Sequence, residues 1–332
     1  MLITQTPLRI SLAGGGTDLP EYADKHGGEV LGFSIDKYLF VWIKERFDHK
    51  IIINWSKKEV VSNIRKIQHE LVREAAVMAG LRDGFEVITT ADIPSEGSGL
   101  GSSSALTVGL INAFFQYCGA QVSTSELAQR ACQIEVEILK KPMGRQDQYL
   151  SALGGIRQLR FAKGGHTEAE EVDVSAETLR ILNQNLMLYY TGVTRKSSDI
   201  LRVQVGRMRE TLPVHHKIKK QVAQVRKALE GGCPDDLGLI LHEGWELKKQ
   251  LAKAVTNSEI DAMYSMAREA GATGGKVCGA GGGGFLLLYC PIVVQEAVRE
   301  RLRAYAEVPF QIEVDGSKSI FNARRPMWKT IV

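Results

Sequence analysis

Few features of this sequence would staple, anchor or export a protein. Its five cysteines (118, 132, 233, 278 and 290) are odd in number and contain no Cys-x-x-Cys pair. That argues for a reducing compartment and against a disulfide framework or structural zinc. No apolar run approaches the ~20 residues that a membrane-spanning helix needs, so no membrane association is expected. The opening MLITQTPLRISLAGGG has neither a basic region nor a long apolar core; no signal peptide is expected, and the location is read as cytoplasmic. The seven histidines show no metal-ligand spacing, and the pair His215-His216 reads as solvated. The net charge is only +4. The densest basic runs, HHKIKK (215–220) and RERLR (299–303), have acids nearby and no interleaved aromatics. They read as solvated helix faces, and no nucleic-acid partner is expected.

What is present is ordinary for a soluble globular chain: 332 residues, 44% hydrophobic and 24% charged, enough for one large domain or two of usual size. The first half reads mainly as strands: around Leu8, Ile10 and Leu12, one or two over 30–47, then 51–55 and 85–93, closed by Pro94. A helix is expected over 64–80, another from about Ser103 to Cys118, and a third starting at the capping box Ser123–Glu126, with Leu127, Ala131, Ile134 and Ile138 as its apolar stripe. The second half opens with a strand at 186–191. Helical patterns follow at about 196–212, 215–230, 235–254, 257–270 and 293–306, with strands at 285–289 and 309–314. Gly164-Gly165 and the acidic 168–177 stretch look like a surface connection, placing a domain boundary near 185.

Three glycine-rich segments punctuate this pattern. Gly279, Gly281 and Gly284 match GxGxxG, but a dinucleotide fingerprint needs a strand before it and a helix after. Here a helix precedes and the strand FLLLY follows, so a loop allowing close backbone approach fits better. The central PSEGSGLGSSSA (94–105) approximates a hydrolase nucleophile elbow, yet a long Gly/Ser linker separates its serines from the preceding strand. A phosphate cradle suits it: a helix N-terminus offers free amides and a partial positive charge, and serine hydroxyls add donors and oxygen ligands. The lysine of the usual P-loop is missing, so neutralisation must come from elsewhere.

In order along the chain, PLRISLAGGGTD, PSEGSGLGSSSA and KVCGAGGGGFLL resemble the three motifs of the GHMP kinases (galactokinase, homoserine, mevalonate and phosphomevalonate kinases), covering Pro7 to Leu287. Within that family, AGGGTDLPEY (13–22), SIDKY (34–38), GRQDQY (144–149) with Ala152-Leu-Gly-Gly155, and YTGVTRKSSDIL (190–201) are most similar to D-glycero-D-manno-heptose 7-phosphate kinases. Fucokinase-type domains share some of these segments. The resemblance implies an α+β, two-domain fold, with an N-terminal α/β ATP-binding domain (1–185) and a C-terminal domain of helices on an antiparallel sheet (186–332). It implies ATP and Mg²⁺ as cofactors and phosphorylation of the anomeric hydroxyl of a heptose 7-phosphate, as in bacterial nucleotide-activated heptose synthesis. A fucokinase-like or other sugar 1-kinase, or a non-catalytic sugar sensor on the same fold, are the alternatives. A homodimer is left open.

The same resemblance assigns roles. Asp147, after Pro142-Met-Gly-Arg-Gln, matches the catalytic aspartate. Arg9 matches the basic residue near the transferred phosphate. Gly97, Gly99, Leu100, Gly101, Ser102, Ser103 and Ser104 would bind ATP. Ser103 and Glu135 would hold Mg²⁺, and the helical wheel places Glu135 nearer the buried edge than Glu137. Asp18 matches a sugar-hydroxyl ligand, while Gly15 and Gly16 stand where galactokinase has a Glu-His pair, which makes room and argues against galactose. Gly281 and Gly282 complete the expected substrate contacts. An acceptor phosphate needs a basic clamp; Lys37, Arg145, Arg157, Arg195 and Lys196 are the candidates.

Overall fold

The structure, a computed structural model, describes residues 1–93 and 97–323. Pro94, expected to close a strand, and Ser95-Glu96 of the central motif lie outside the described residues. Twelve strands are described: β1 (Leu2–Ala13), β2 (Gly28–Glu45), β3 (Ile51–Asn54), β4 (Lys58–Val61), β5 (Phe85–Ala91), β6 (Ile156–Phe161), β7 (Thr167–Glu171), β8 (Leu186–Tyr190), β9 (Gly274–Val277), β10 (Phe285–Tyr289), β11 (Ile312–Glu313) and β12 (Lys318–Asn322). The α-helices are α1 (Pro20–His26), α2 (Glu70–Met78), α3 (Ser102–Tyr117), α4 (Thr124–Cys132), α5 (Gln146–Leu153), α6 (Ala176–Asn185), α7 (Ser197–Gly206), α8 (Leu212–Glu230), α9 (Asp236–Lys249), α10 (Ser258–Glu269) and α11 (Ile292–Arg301).

Nine strands form one mixed sheet, ordered β12-β1-β2-β5-β3-β4, with β6, β7 and β11 reached through β2. The 30–47 run is a single bent strand: the first part of β2 pairs β6, and its second part pairs β5. Helix α3 packs on β1 and β2 among α2, α4 and α5, while α8 also meets β1 and β2 and packs against α9. The second sheet, β8-β10-β9, is antiparallel. Its apolar runs are buried on both faces: Phe285, Leu287 and Tyr289 enter the main core, while Leu286 and Leu288 enter a second core with Trp245, Val255 and Met263. Residues 312–322, beyond the expected boundary near 185, return to the first sheet as β11 and β12.

Several expectations change. The 64–80 helix is broken: Glu59 accepts the amides of Gln68 and His69, so α2 begins only at Glu70, after a short 3-10 turn. The acidic 168–177 stretch is not a mere connection, because β7 pairs β6 and its Glu170 and Glu171 are neutralised by Arg160, Arg226 and Arg157. A short strand, β9, precedes the GxGxxG segment. Ile138 is 46% exposed instead of lining the stripe. Residues 133–138 form a π-helical turn, whose extra residue rotates Ile138 outward while Glu135 stays fully buried. His215 is also fully buried rather than solvated, because it lies on the inner face of α8.

Candidate active site

The three glycine-rich segments meet at one cleft of about 840 Å³. Gly101 initiates α3 from a left-handed conformation (φ 77°), and no side chain caps the helix. The first-turn amides of α3 therefore have no intrahelical partner, and Gly101, Ser102 and Ser103 line the cleft. Side chains are excluded by contact between the loops: a Cβ on Gly279 would lie 2.6 Å from the Gly99 Cα, and one on Gly284 2.4 Å from the Ser98 carbonyl oxygen. The late segment is thus the close-approach loop its composition suggested. Leu100 and Ser104 are buried beneath the loop; Gly97 and Gly99 line the cleft.

Arg9, on β1, is only 4% exposed. Its Nε and Nη2 donate to the two carboxylate oxygens of Asp147 (2.8 and 2.6 Å), and Nη1 donates to the Gly99 carbonyl (2.7 Å). Asp147 stands in the first turn of α5, where a carboxylate is favoured by the helix dipole. Beside it, Asp18 accepts from the Gly16 amide and from the amide and side chain of Gln146 (3.0, 3.2 and 3.1 Å). Burial raises the Asp18 pKa, and the Asp147 charge adds to the effect. A Cβ on Gly144 would overlap Asp18 Oδ2 at 1.8 Å, which explains the glycine ahead of the Asp147 segment. Ser103 Oγ and Gln148 Nε2 donate to the Glu135 carboxylate (2.8 and 2.7 Å), and Lys141 lies 3.8 Å away. Burial raises the Glu135 pKa.

Gly15, Gly16, Arg195 and Lys196 also line the cleft. Other expected residues lie elsewhere. Lys37 pairs with Asp36, Arg157 with Glu171, and the buried Arg145 packs against Gly165. Gly281 and Gly282 pack on Val255, Ala254 and Ile200 behind the cleft, while Gly279 and Ala280 face it.

Lys140, Lys141, Lys248 and Lys276 also line the cleft, and the last two bind loop carbonyls. Lys276 Nζ donates to the carbonyls of Ser11 and Leu12, tying the third motif to the first, and burial pushes its pKa down to about 8. Lys248, on α9, donates to the carbonyls of Val277 and Gly279; burial, then the Lys276 charge, hold its pKa well below the usual value. Lys276 is the first residue of the third motif, but nothing local marks Lys248 within its helix.

Two family models match the chain: GHMP kinases N terminal domain over residues 58–155, and GHMP kinases C terminal over 225–307. A D-glycero-alpha-D-manno-heptose 7-phosphate kinase from Campylobacter jejuni is 33% identical over 303 residues, 86% of this chain and 88% of the relative. An L-fucokinase/L-fucose-1-P guanylyltransferase from Bacteroides fragilis is 28% identical over 86% of this chain and 34% of the relative. The crystal structure of a D-glycero-D-manno-heptose 1-phosphate kinase from Bacteroides thetaiotaomicron matches at a TM-score of 0.81 and 26% identity, covering 98% of this chain and 100% of that one. With its three glycine-rich loops gathered on one cleft and both family models matched, the chain belongs to the GHMP kinases, phosphotransferases that act on an alcohol group.

Proposed function

We propose that the chain transfers the γ-phosphoryl group of ATP to the anomeric hydroxyl of D-glycero-D-manno-heptose 7-phosphate, giving the 1,7-bisphosphate and ADP. The observation that carries this reading is the Arg9–Asp147 fork, set between the open start of α3 and the Asp18 corner. The amides at Gly101 to Ser104 hold the triphosphate. Asp147 takes the proton of the acceptor hydroxyl as its oxygen bonds to phosphorus and the bond to ADP breaks. Arg9 and Lys276 supply the positive field that a P-loop lysine would otherwise give.

Mg²⁺ prefers oxygen ligands and usually takes only one or two from protein. The Ser103 hydroxyl and Glu135 carboxylate fit that pattern, and no cluster of three or more His, Cys, Asp or Glu side chains among the described residues offers a fuller cage. When bound there, the ion neutralises phosphate charge. Arg195 and Lys196, exposed at the cleft, are the clamp for the 7-phosphate. Residues 1–185 form the nucleotide-binding half, and the half from 186 onward supplies the third loop.

The test is ATP turnover by purified protein across a panel of sugars and sugar phosphates. Heptose 7-phosphate should be consumed, with Asp147→Ala about 100-fold slower or worse. Turnover of unphosphorylated fucose and not of the heptose 7-phosphate would move the assignment to a fucokinase-like enzyme. No turnover with any sugar would favour a sensor.

A further inference from the structure

Lys248 lines the cleft but takes no part in the chemistry of transfer. It lies in the last turn of α9. That helix is a fixed platform. Trp245, three residues earlier, is fully buried. A Cβ on Gly274 of β9 would lie 1.8 Å from the Gly238 carbonyl oxygen, so helix and strand touch backbone to backbone. From this platform Lys248 Nζ donates to the third glycine-rich loop, at the carbonyls of Val277 (2.9 Å) and Gly279. An ammonium has three N–H groups and a neutral amine two, so both bonds can be made in either protonation state.

The clasp sits at the joint between two loops. Cys278 lies between the two clasped carbonyls, and its own carbonyl oxygen would be 2.5 Å from a Cβ on Gly99. A Cβ on Gly279 would in turn be 2.6 Å from the Gly99 Cα. No side chain separates the loops, so a shift of one displaces the other. Gly99 gives its carbonyl to Arg9 Nη1 (2.7 Å), and the Arg9 amide donates to the Leu100 carbonyl (3.0 Å). Nε and Nη2 of the same guanidinium hold Asp147. An unbroken series of contacts thus runs from Lys248 to Gly279, to Gly99, to Arg9 and to Asp147.

We propose that Lys248 is a positioning residue. By clasping the third loop against the second, it sets the place of the nucleotide cradle and, through Gly99, of the Arg9–Asp147 fork. It acts through these groups and not on the substrates. The inference rests on the roles given above to the cradle and the fork, and is independent of which sugar is the acceptor.

The experiment has two arms. Calorimetry reads the affinity for ATP with Mg²⁺ in the absence of sugar, so this arm stands whatever the acceptor. Steady-state rates use whichever sugar the wild-type protein phosphorylates best, so a failure of the heptose assignment shows separately. Lys248→Met keeps an unbranched side chain and removes the donors, while Lys248→Arg keeps donors; thermal melts check that each variant is folded. Lys248→Met should bind ATP about tenfold more weakly and lose kcat by about 10- to 100-fold, with sugar KM within about twofold of wild type. Lys248→Arg should recover most of both losses, which a role in filling space would not give. Because the effect on rate passes through Arg9, adding Lys248→Met to Arg9→Gln should lower kcat by less than about twofold further. Lys248→Gln, polar but too short for the clasp, replaces Lys248→Met if that variant does not fold, and should show the same losses. ATP affinity and kcat within about twofold of wild type in the donor-removing variant would overturn the proposal. So would full additivity with Arg9→Gln, or a Lys248→Arg protein as impaired as Lys248→Met.

Discussion

Glu135 holds its carboxylate in a fully buried position, satisfied by Ser103 and Gln148 and close to Lys141. Burying a charge costs more than such contacts return unless an ion completes the set. Glu135→Gln keeps the shape and an acceptor oxygen. It should lower kcat on the order of 100-fold and raise the Mg²⁺ concentration needed for half-maximal rate. The metal-free melting temperature should hold or rise. Kinetics over a Mg²⁺ series and melts in chelator check this; an unchanged Mg²⁺ requirement would remove Glu135 from the metal site. His215 gives a pH prediction. Burial lowers its pKa below the ordinary histidine value of about 6.5, so the fold favours the neutral ring. As pH falls through ~6.5, the unfolded chain takes up the proton first, and stability drops until the folded-state pKa is passed. Denaturant melts between pH 7.5 and 5 should show this decline, and His215→Phe should flatten it. A decline of equal size in the variant would assign it to other groups.

At the scale of elements, the start of α3 depends on its neighbours as much as on its own residues. Gly101 sits at φ 77°, and a Cβ there would lie 3.0 Å from the Arg9 Cγ. Gly101→Ala should cost about 1–2 kcal/mol from the left-handed backbone alone. It should also lower kcat by pushing Arg9 off Asp147, which a chemical melt and steady-state kinetics would separate. A variant with wild-type kcat would show that the fork tolerates the push. The central motif and the capping box of α4 were legible in the sequence because local chemistry sets them: Ser123 accepts the Glu126 amide as its spacing requires. The π-helical turn at 133–138 and the break before α2 were not legible. The first shows in a wider backbone pairing, the Leu139 amide donating to the Ile134 carbonyl five residues back, and the second depends on Glu59 of β4 capping the amides of Gln68 and His69.

For the whole molecule, β11 and β12 join the first sheet from far along the chain. Ser317 lies just before β12, and its hydroxyl shares a hydrogen bond with Thr6 Oγ1 (2.8 Å) and accepts from Asn112 Nδ2 (3.0 Å). One side chain thus joins the segment before β12 to β1 and α3. Ser317→Ala leaves two buried groups short of a partner and should cost about 1–3 kcal/mol, read as a lower denaturation midpoint with the same slope. A loss of stability under about 0.3 kcal/mol, from the midpoint shift multiplied by the slope, would show that the closure rests on backbone pairing alone. The sequence by itself determined the family and the order of the three loops, because backbone approach to phosphate requires glycine and hydroxyl residues at close, local spacing; the resemblance singled out Arg9, Ser103, Glu135 and Asp147, which the fold brings together in two hydrogen-bonded pairs. Only the tertiary structure decided that Lys248 and Lys276 line the same cleft, that His215 is buried, that Lys37 and Arg157 are not among the cleft's lining residues, and that Gly281 and Gly282 pack on Val255, Ala254 and Ile200. Those outcomes are set by which helix faces and strand edges meet across hundreds of residues, and no local spacing encodes them.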